Sequence, residues 1–338
     1  MKTLVELENK LTEPTPALIE DLKDLDGDIL ILGVGGKMGP SLAKLAKRAI
    51  TEGNLHKRVI GVSRFSSGTL REELAQAGVE TISADLLDPD AVAALPDVKN
   101  VIYMVGYKFG TSGNAHMTWA MNTLVAGQVA RKYCNSRIVA FSSGNIYPFT
   151  PVSRGGADES VEPQPVGEYA QSCLGRERLF DFFSKTYQTP VLHYRLNYAI
   201  DLRYGVLVDI ARLVKEGKPV DLTMGNVNCI WQGDANVYAL RSLTQCQSPA
   251  KILNVTGPET ISVRWAAEQF ARRFGTTATF VGEEGQEALL NNASQAHKLF
   301  GYPRVGLVQM IDWVVEWIES DGALLDKPTG FQETEGKF

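Results

Sequence analysis

Apolar and polar positions follow two alternating patterns in the first part of the chain. The run Ile29–Leu32 has no polar position and predicts a buried strand, and Leu42, Leu45 and Ala46 then recur at helical spacing. The same alternation predicts strands at 58–62, 80–83, 100–105, 137–141 and 191–196, with helices between them at 70–77, 88–95, 118–133 and 168–186. This order indicates an α/β protein with a doubly wound, parallel, Rossmann-type sheet.

The regularity of the pattern decreases after residue 198, which predicts the domain organisation. Residues 1–26 are predicted as a helical N-terminal lead-in, and 27–198 as a dinucleotide-binding Rossmann domain closed by the strand at 191–196. Segments near 226–255 are expected to return to this domain. Residues 199–225 and 256–330 contain too few strands for a second sheet domain and predict a smaller C-terminal α/β cap. Substrate is expected in the crevice beneath the cap.

A glycine-rich turn connects the first strand to the helix that follows it. Gly33, Gly36 and Gly39 fit the spacing G-x-x-G-x-x-G, whereas G-x-G-x-x-G fails because Met38 occupies its last position. The N–H groups of such a turn and the positive end of the helix dipole bind phosphate. The turn therefore predicts a dinucleotide site, to which Lys37 and Met38 also contribute.

Composition and charge exclude several classes of partner. The chain has 34 Lys and Arg against 39 Asp and Glu, a net charge of −5, and no basic block, so nucleic acid is not expected to bind. Its 4 Cys and 4 His are scattered without metal-ligand spacing, which predicts no metal site and a reducing, cytoplasmic location. No apolar run reaches the roughly 18 residues of a membrane helix.

The end of the second strand indicates the type of dinucleotide. It reads Ser63-Arg64, with no acidic residue to accept the ribose 2′-hydroxyl of NAD. A guanidinium can instead pair with the 2′-phosphate of NADP, and Lys37 in the glycine turn would add positive potential. NADP is therefore favoured and NAD remains possible. Alternatively, Arg64 stacks on adenine or faces water.

Several motifs resemble the extended short-chain dehydrogenase/reductase superfamily, in its NAD-dependent epimerase/dehydratase group. They are the glycine turn, Asp85-Leu86, Asn122, Ser142-Ser-Gly-Asn-Ile-Tyr147, Tyr169-Ala-Gln-Ser172 and Arg195-Leu-Asn197. Together with the turn and the second strand, the resemblance implies cofactor contacts from Gly33, Gly36, Lys37, Met38, Gly39, Ser63, Arg64, Asp85, Leu86, Val105, Gly106, Asn122, Ser142, Tyr169, Leu196 and Asn197.

The resemblance also implies the catalytic residues. In the family, a Tyr is the general acid/base, a Ser positions the substrate oxygen, and a Lys four residues after the Tyr lowers its pKa. The Tyr and Ser correspond to Tyr169 and Ser143, but Cys173 occupies the lysine position, so the chain is an atypical member. Arg176 and Arg178 are expected on other faces of the helix, where they would not replace the lysine.

Three interpretations of the missing lysine remain open. The chain is an NAD(P)-dependent oxidoreductase or epimerase that transfers hydride on a small hydroxylated or sugar-derived substrate, with a slow or differently assisted Tyr169. Alternatively, the substrate or other residues supply the proton route. The third interpretation is a non-catalytic NAD(P)-binding regulator or sensor on the same fold.

Topology and composition suggest the substrate contacts. Tyr107, Lys108 and Thr111 follow the fourth strand and are expected to face the crevice, as are Ser143 and Arg203. The segment 224–231, where an Arg that holds a nucleotide-sugar diphosphate would be expected, contains none, which counts against such a substrate.

The helices at 118–133 and 168–186 form the dimer face in similar proteins, so the resemblance implies a homodimer. Their spare apolar residues suit either such an interface or packing on the sheet. These residues are Leu124, Val125, Leu179 and Phe182.

Overall fold

A computed structural model describes residues 1–66, 68–108, 113–325, 327 and 329–336 of the 338-residue chain. Seven strands form the main sheet: β1 (Ile29–Leu32), β2 (Val59–Ser63), β3 (Glu80–Ser83), β4 (Asn100–Tyr103), β5 (Arg137–Ser143), β7 (Val191–Leu196) and β12 (Lys251–Val255). Their order in the sheet is β12-β7-β5-β4-β1-β2-β3, and every neighbouring pair is parallel. The predicted α/β class and the Rossmann-type sheet are confirmed.

The prediction that the strand at 191–196 closes the sheet is wrong. Strand β12 pairs with β7 over its whole length, from Lys251 opposite Leu192 to Val255 opposite Leu196, and forms the edge. The chain therefore returns to the sheet after entering the cap. Local periodicity marks β12 as a strand but carries no information about its distant partner.

Helices pack on both faces of the sheet and also build the C-terminal part. The helices are α1 (Leu4–Leu11), α2 (Pro16–Asp24), α3 (Gly39–Glu52), α4 (Leu70–Gln76), α5 (Pro89–Ala93), α6 (Ala115–Trp119), α7 (Val125–Lys132), α8 (Gly167–Tyr187), α9 (Val206–Lys215), α10 (Gln232–Arg241), α11 (Val263–Phe274), α12 (Ser294–Phe300) and α13 (Leu307–Glu319). Alternate residues of β1 divide between two apolar clusters, with Ile29 and Ile31 on one face and Leu30 and Leu32 on the other. A strand buried on both faces explains the run without polar positions.

Short strands connect the outer elements. They are β6 (Thr150–Pro151), β8 (Ala199–Ile200), β9 (Val220–Asp221), β10 (Asn226–Val227), β11 (Ile230–Trp231), β13 (Ile261–Ser262), β14 (Phe280–Val281) and β15 (Glu287–Ala288). A third apolar cluster, built largely from α9, α11 and α13, forms the core of the C-terminal part.

The N-terminal lead-in consists of two helices rather than one. Thr3 and Glu6 form a capping box at the start of α1, which stabilises a short helix by satisfying its first N–H groups. Leu7 and Leu11 of α1 pack in the C-terminal core, whereas Leu18 of α2 packs on the sheet. The lead-in thus contacts both parts. The division into domains stays a prediction.

Candidate active site

The glycine turn is shaped by close approaches of the backbone. Gly33 has φ +85°, and a Cβ there would lie 2.9 Å from the backbone N of Val105 on the neighbouring chain segment. A Cβ on Gly39 would lie 2.3 Å from the carbonyl oxygen of Val34. Gly36 is exposed, and a Cβ there would meet only the Gly33 carbonyl oxygen, at 3.4 Å. The outer face of the turn is therefore open to a ligand.

Lys37 extends from this turn toward the cap. Its Nζ donates to the carbonyl oxygen of Ala199 at 2.9 Å and lies 4.0 Å from the centre of the Tyr204 ring. Burial lowers the pKa of Lys37 to about 8, although the Asp201 carboxylate opposes this. In the sheet, β7 and β2 lie on opposite sides of β1. The expectation that Lys37 adds positive potential to the dinucleotide site stays a prediction.

The predicted adenosine-side residues lie at the carboxyl ends of β2 and β3. Ser63 is beside the turn, because a Cβ on Gly35 would lie 2.4 Å from Ser63 Oγ. Arg64 is exposed, and its side chain has no ion pair or hydrogen bond to any described residue. Asp85 is exposed and accepts from the N–H of Leu87 at 3.1 Å. An exposed guanidinium without a carboxylate partner is compatible with binding a phosphate.

Ser143, Tyr169 and Cys173 lie close together. Ser143 ends β5, and Tyr169 and Cys173 lie one turn apart near the start of α8. The side chains of Ser143 and Cys173 are both near enough to the Tyr169 phenol to affect its pKa. Cys173 is fully buried, and Tyr169 is half-buried. The structure thus brings together Tyr169, Ser143 and the residue four positions after Tyr169.

The electrostatics of this group favour a protonated tyrosine in the structure without ligands. Burial raises the pKa of the Tyr169 phenol, and the Cys173 thiol adds to the rise. The Arg176 charge and the neighbouring Ser143 hydroxyl oppose it. Burial likewise raises the pKa of Cys173, against the effect of Arg176. A neutral thiol is a weak nucleophile, so Cys173 is unsuited to covalent catalysis here.

The expectation that Arg176 lies on another face of the helix is wrong. Seven residues at 3.6 per turn bring it to within about 20° of Tyr169. Its guanidinium is buried and donates to the carbonyl oxygens of Phe141, at 2.8 Å, and Asn122, at 3.2 Å. The spacing in the sequence was sufficient to find Arg176. Arg178, by contrast, is exposed and pairs with Asp181.

Asn122 organises the same region from the opposite helix. It lies in a single π-helical turn, Ala120–Leu124, between α6 and α7. Its amide oxygen accepts from the N–H of Tyr107 at 2.8 Å and from Arg176 at 2.7 Å, and its amide nitrogen donates to Ser172 at 2.9 Å. The side-chain amide of Asn122 is thus hydrogen-bonded to other residues of the protein. Direct contact of Asn122 with the cofactor stays a prediction. Isolated π turns are frequent at functional sites.

Residues after β4 line the space between the turn and Tyr169. Val105 is buried and Gly106 is exposed. The Lys108 ammonium lies 5.8 Å from the centre of the Tyr169 ring and donates to the Thr329 carbonyl oxygen at 3.1 Å. Burial lowers the pKa of Lys108 to about 8. The candidate Thr111 lies outside the described residues.

The remaining predicted site residues are largely engaged by the protein itself. Ser142 and Leu86 are buried, Met38 and Leu196 pack partly against the sheet core, and Asn197 donates to Asn228 at 2.7 Å. Arg203 pairs with the buried Asp201 at 2.9 Å. The Arg203 Nε is buried and has no hydrogen-bond partner among the described residues.

A buried polar network beneath the serine was not found from the sequence. Arg195 makes two bonds to the Glu177 carboxylate, at 2.9 and 2.7 Å, and donates to the Tyr147 hydroxyl at 2.6 Å. Tyr147 in turn donates to Asn254 at 3.0 Å. The network joins α8, β7 and β12, so its members are distant in the chain. It fixes the elements that carry Ser143 and Tyr169.

The chain's residues fit a nicotinamide dinucleotide. The open face at Gly36, the exposed Gly106 and the exposed Arg64 lie along the carboxyl edge of β1, β4 and β2, which is where parallel sheets bind dinucleotides. In the part of the chain that the structure describes, no cluster of three or more His, Cys, Asp or Glu side chains could hold a metal ion. Within the same residues, no helix combines the length and apolar character needed to cross a bilayer.

Comparison with known proteins places the chain in this class of Rossmann-type fold. No protein-family model and no curated protein sequence matches the chain. Among solved structures, UDP-glucose 4-epimerase from Thermus thermophilus, in complex with NAD, has a TM-score of 0.70 at 20% identity and aligns over 88% of this chain and 100% of its own.

Two further structures are similar over nearly the same length. The Bordetella bronchiseptica enzyme WbmG, in complex with NAD and UDP, has a TM-score of 0.71 at 18% identity, covering 90% of this chain and 99% of its own. UDP-glucuronic acid 4-epimerase from Bacillus cereus, in complex with NAD, has a TM-score of 0.69 at 18% identity, covering 87% and 98%. At these identities the comparison establishes the fold.

Proposed function

We propose that the chain is an NAD(P)-dependent oxidoreductase or epimerase that acts on a small hydroxylated or sugar-derived substrate by hydride transfer. The observation that carries this proposal is the proximity of Ser143 and Tyr169 at the carboxyl edge of the sheet, the edge that also carries the glycine turn. A phenol and a hydroxyl held close together are suited to exchange a proton with a substrate hydroxyl or carbonyl oxygen.

Each part of the site has a distinct role in this proposal. The turn at Gly33, Gly36 and Gly39 binds the cofactor phosphates, and a bound nicotinamide supplies a hydride acceptor or donor. Ser143 orients the substrate oxygen. Tyr169 takes the proton from a substrate hydroxyl during oxidation and returns it during reduction. Lys108 and the tail around Thr329 cover Tyr169 and limit access of water.

The substrate class is drawn from the crevice and from the similar structures. Those proteins were determined with UDP or as enzymes of UDP-sugars, which favours a sugar-derived substrate here. The unpartnered Arg203 Nε is suited to bind a sugar hydroxyl or a carboxylate, with Tyr107 and Lys108 as further contacts. The segment 224–231 contains no Arg and is largely buried, so a diphosphate would need its charge partner elsewhere.

For the cofactor we propose NADP over NAD. The exposed Arg64 at the end of β2, without a carboxylate partner among the described residues, supports this choice. The similar structures contain NAD, which supports the alternative. Calorimetric titration with both dinucleotides tests the choice. NADP is expected to bind more tightly, and Arg64→Ala is expected to remove the difference; tighter binding of NAD by the unaltered protein would refute it.

A non-catalytic NAD(P)-binding regulator is the second candidate. It is favoured by Cys173 at the lysine position and by the raised pKa of Tyr169, since both work against proton transfer. In this case the cofactor would bind without any reaction of a sugar.

The two candidates differ in turnover. We suggest incubating the protein with each dinucleotide and a panel of UDP-sugars, free sugars and sugar acids, while nicotinamide absorbance and sugar NMR spectra are recorded. Turnover that is lost in Tyr169→Phe, with dinucleotide binding retained, supports the enzyme. Tight dinucleotide binding without turnover of any substrate in the panel favours the regulator.

We further propose a cytoplasmic homodimer. The four cysteines are all free, as expected in a reducing compartment. Leu124 and Phe182 are each 54% exposed on neighbouring helices, whereas Val125 is fully buried against the sheet. The first two residues are therefore free to form an interface.

A further inference from the structure

Arg176 is a buried cation without a compensating carboxylate. Its side chain is 5% exposed, and its three hydrogen bonds go to carbonyl oxygens, those of Phe141 and the Asn122 backbone and side chain. Within the residues that the structure describes, no carboxylate oxygen lies within ion-pair distance of it. The adjacent Glu177 is fully engaged by Arg195. A buried charge is costly unless it is paired, so a purely structural role would be served better by a neutral side chain.

The geometry directs this charge at the site. Arg176 follows Tyr169 by seven residues, and helix side chains point toward the N-terminus, so the long side chain extends back along the face that carries Cys173 and Tyr169. A Cβ on the exposed Gly106 would lie 3.3 Å from Arg176 Nη2. The guanidinium therefore lies just beneath the surface where the dinucleotide is expected.

We propose that Arg176 is a positioning residue that supplies the fixed positive charge behind Tyr169 and takes over this task from the lysine that the chain lacks. The proposal rests on the function proposed above, since it assumes that Tyr169 transfers the proton. The charge comes from a later turn of the same helix and is held by backbone carbonyl groups. Unlike an amine, a guanidinium stays charged throughout the working pH range.

The other groups around Tyr169 are less suited to supply a fixed positive charge. Burial raises the pKa of Tyr103, whose ring lies 5.7 Å from the Arg176 guanidinium carbon, so this phenol is neutral. Cys173 is also neutral, and Ser143 is uncharged. Lys108 is the only other cation found close to Tyr169 among the described residues, and burial lowers its pKa to about 8. Arg176 itself keeps its charge, because a guanidinium titrates far above the working pH range.

The test measures the acidity of residue 169 directly and needs no substrate. We suggest replacing Tyr169 with 3,5-difluorotyrosine, whose phenol is more acidic, and following its ionisation by fluorine NMR. Arg176→Gln removes the charge and keeps a polar side chain, and Arg176→Met is a second neutral variant. Each is expected to raise the pKa of the probe by about one unit or more. Arg176→Lys is expected to keep most of the effect.

Matched variants separate this role from others. Arg178→Gln, at an exposed position on the same helix, is expected to leave the pKa of the probe unchanged. Lys108→Met is expected to shift this pKa less than Arg176→Gln does. Adding Cys173→Lys to Arg176→Gln is expected to return the pKa toward its original value. The proposal would be overturned if the pKa of the probe were unchanged in a folded variant with a neutral residue at position 176. It would also be overturned if Lys108→Met shifted this pKa more than Arg176→Gln does. A shifted probe in a protein that turns over no substrate would refute the proposed function alone.

Discussion

Lys108 and Thr329, far apart in the chain, are joined by a hydrogen bond over the ring of Tyr169. The Lys108 Nζ donates to the Thr329 carbonyl oxygen at 3.1 Å. Thr329 is anchored by the Asp209 carboxylate, which accepts from its N–H at 2.8 Å and from its hydroxyl at 2.6 Å. Farther along, Gly336 packs against Gly167 at the start of α8. The tail thereby connects the cap, the strand β4 loop and the helix that carries Tyr169.

The anchor at Asp209 is expected to hold this tail. Thr329→Val removes the hydroxyl bond and should lower the free energy of unfolding by about 1–2 kcal/mol, because hydrogen bonds to charged groups are stronger than average. Hydrogen exchange should become faster in 329–336 and stay unchanged in the sheet. Thr277→Val, at an exposed position, serves as the control. Equal exchange in the tail of both variants would show that the bond does not hold it.

Two substitutions in the glycine turn should have separate effects, one on dinucleotide affinity and the other on stability. Gly36→Ala places a Cβ in open space, so folding should be retained while dinucleotide affinity falls at least about tenfold, since the phosphate can no longer approach the backbone. Gly39→Ala forces a Cβ against the Val34 carbonyl oxygen and should cost about 1–3 kcal/mol of stability. Thermal unfolding and calorimetry measure the two effects. Unimpaired dinucleotide binding by Gly36→Ala would contradict a phosphate site at this turn.

Lys37 should make stability depend on pH in the alkaline range. Its pKa is about 8 in the folded protein and near 10.4 in the unfolded chain, so the unfolded chain binds more protons between these values and stability rises with pH there. Lys37→Met should remove this rise and stabilise the protein at pH 7 by about 1–3 kcal/mol. Denaturant unfolding at several pH values measures the difference. Lys298→Met, at an exposed position, should behave like the unaltered protein.

The exposed apolar residues on α7 and α8 should form the proposed dimer interface. Leu124→Glu and Phe182→Glu place charges there and should convert a dimer to monomers in sedimentation experiments. Val308, which is 57% exposed on α13, offers a matched control, and Val308→Glu should stay dimeric. If the unaltered protein sediments as a monomer at micromolar concentration, the dimer proposal is wrong.

The sequence predicted features that depend on neighbouring residues. The glycine turn was found because the spacing of Gly33, Gly36 and Gly39 is local, although Gly39 approaches a residue nearby in the chain, Val34, whereas Gly33 approaches Val105. Ser143 and Tyr169 were identified through the motifs that resemble the short-chain dehydrogenase/reductase superfamily, Ser142–Tyr147 and Tyr169–Ser172, each of which is a short local stretch of sequence. The seven-residue spacing of Arg176 was also present in the sequence, but its importance depends on the carbonyl groups that Phe141 and Asn122 contribute from other elements.

Features that depend on distant pairing could not be predicted. Strand β12 joins the sheet through β7, and nothing in either strand specifies this partner. The Lys37 side chain points toward Ala199 because its ammonium donates to the carbonyl oxygen of that residue, which lies 162 residues away in the chain. The π turn at Asn122 results from the bonds that its amide makes to Tyr107 and Arg176, and helical periodicity alone does not distinguish it from a regular helix.

Helix α1 is synthesised before the apolar residues that bury its inner face. Leu7 and Leu11 pack in a core whose other buried members all follow residue 199. During translation this amphipathic helix therefore stays exposed until most of the chain has left the ribosome, and the core around it can close only late. A late step in folding therefore joins α1 to the C-terminal core.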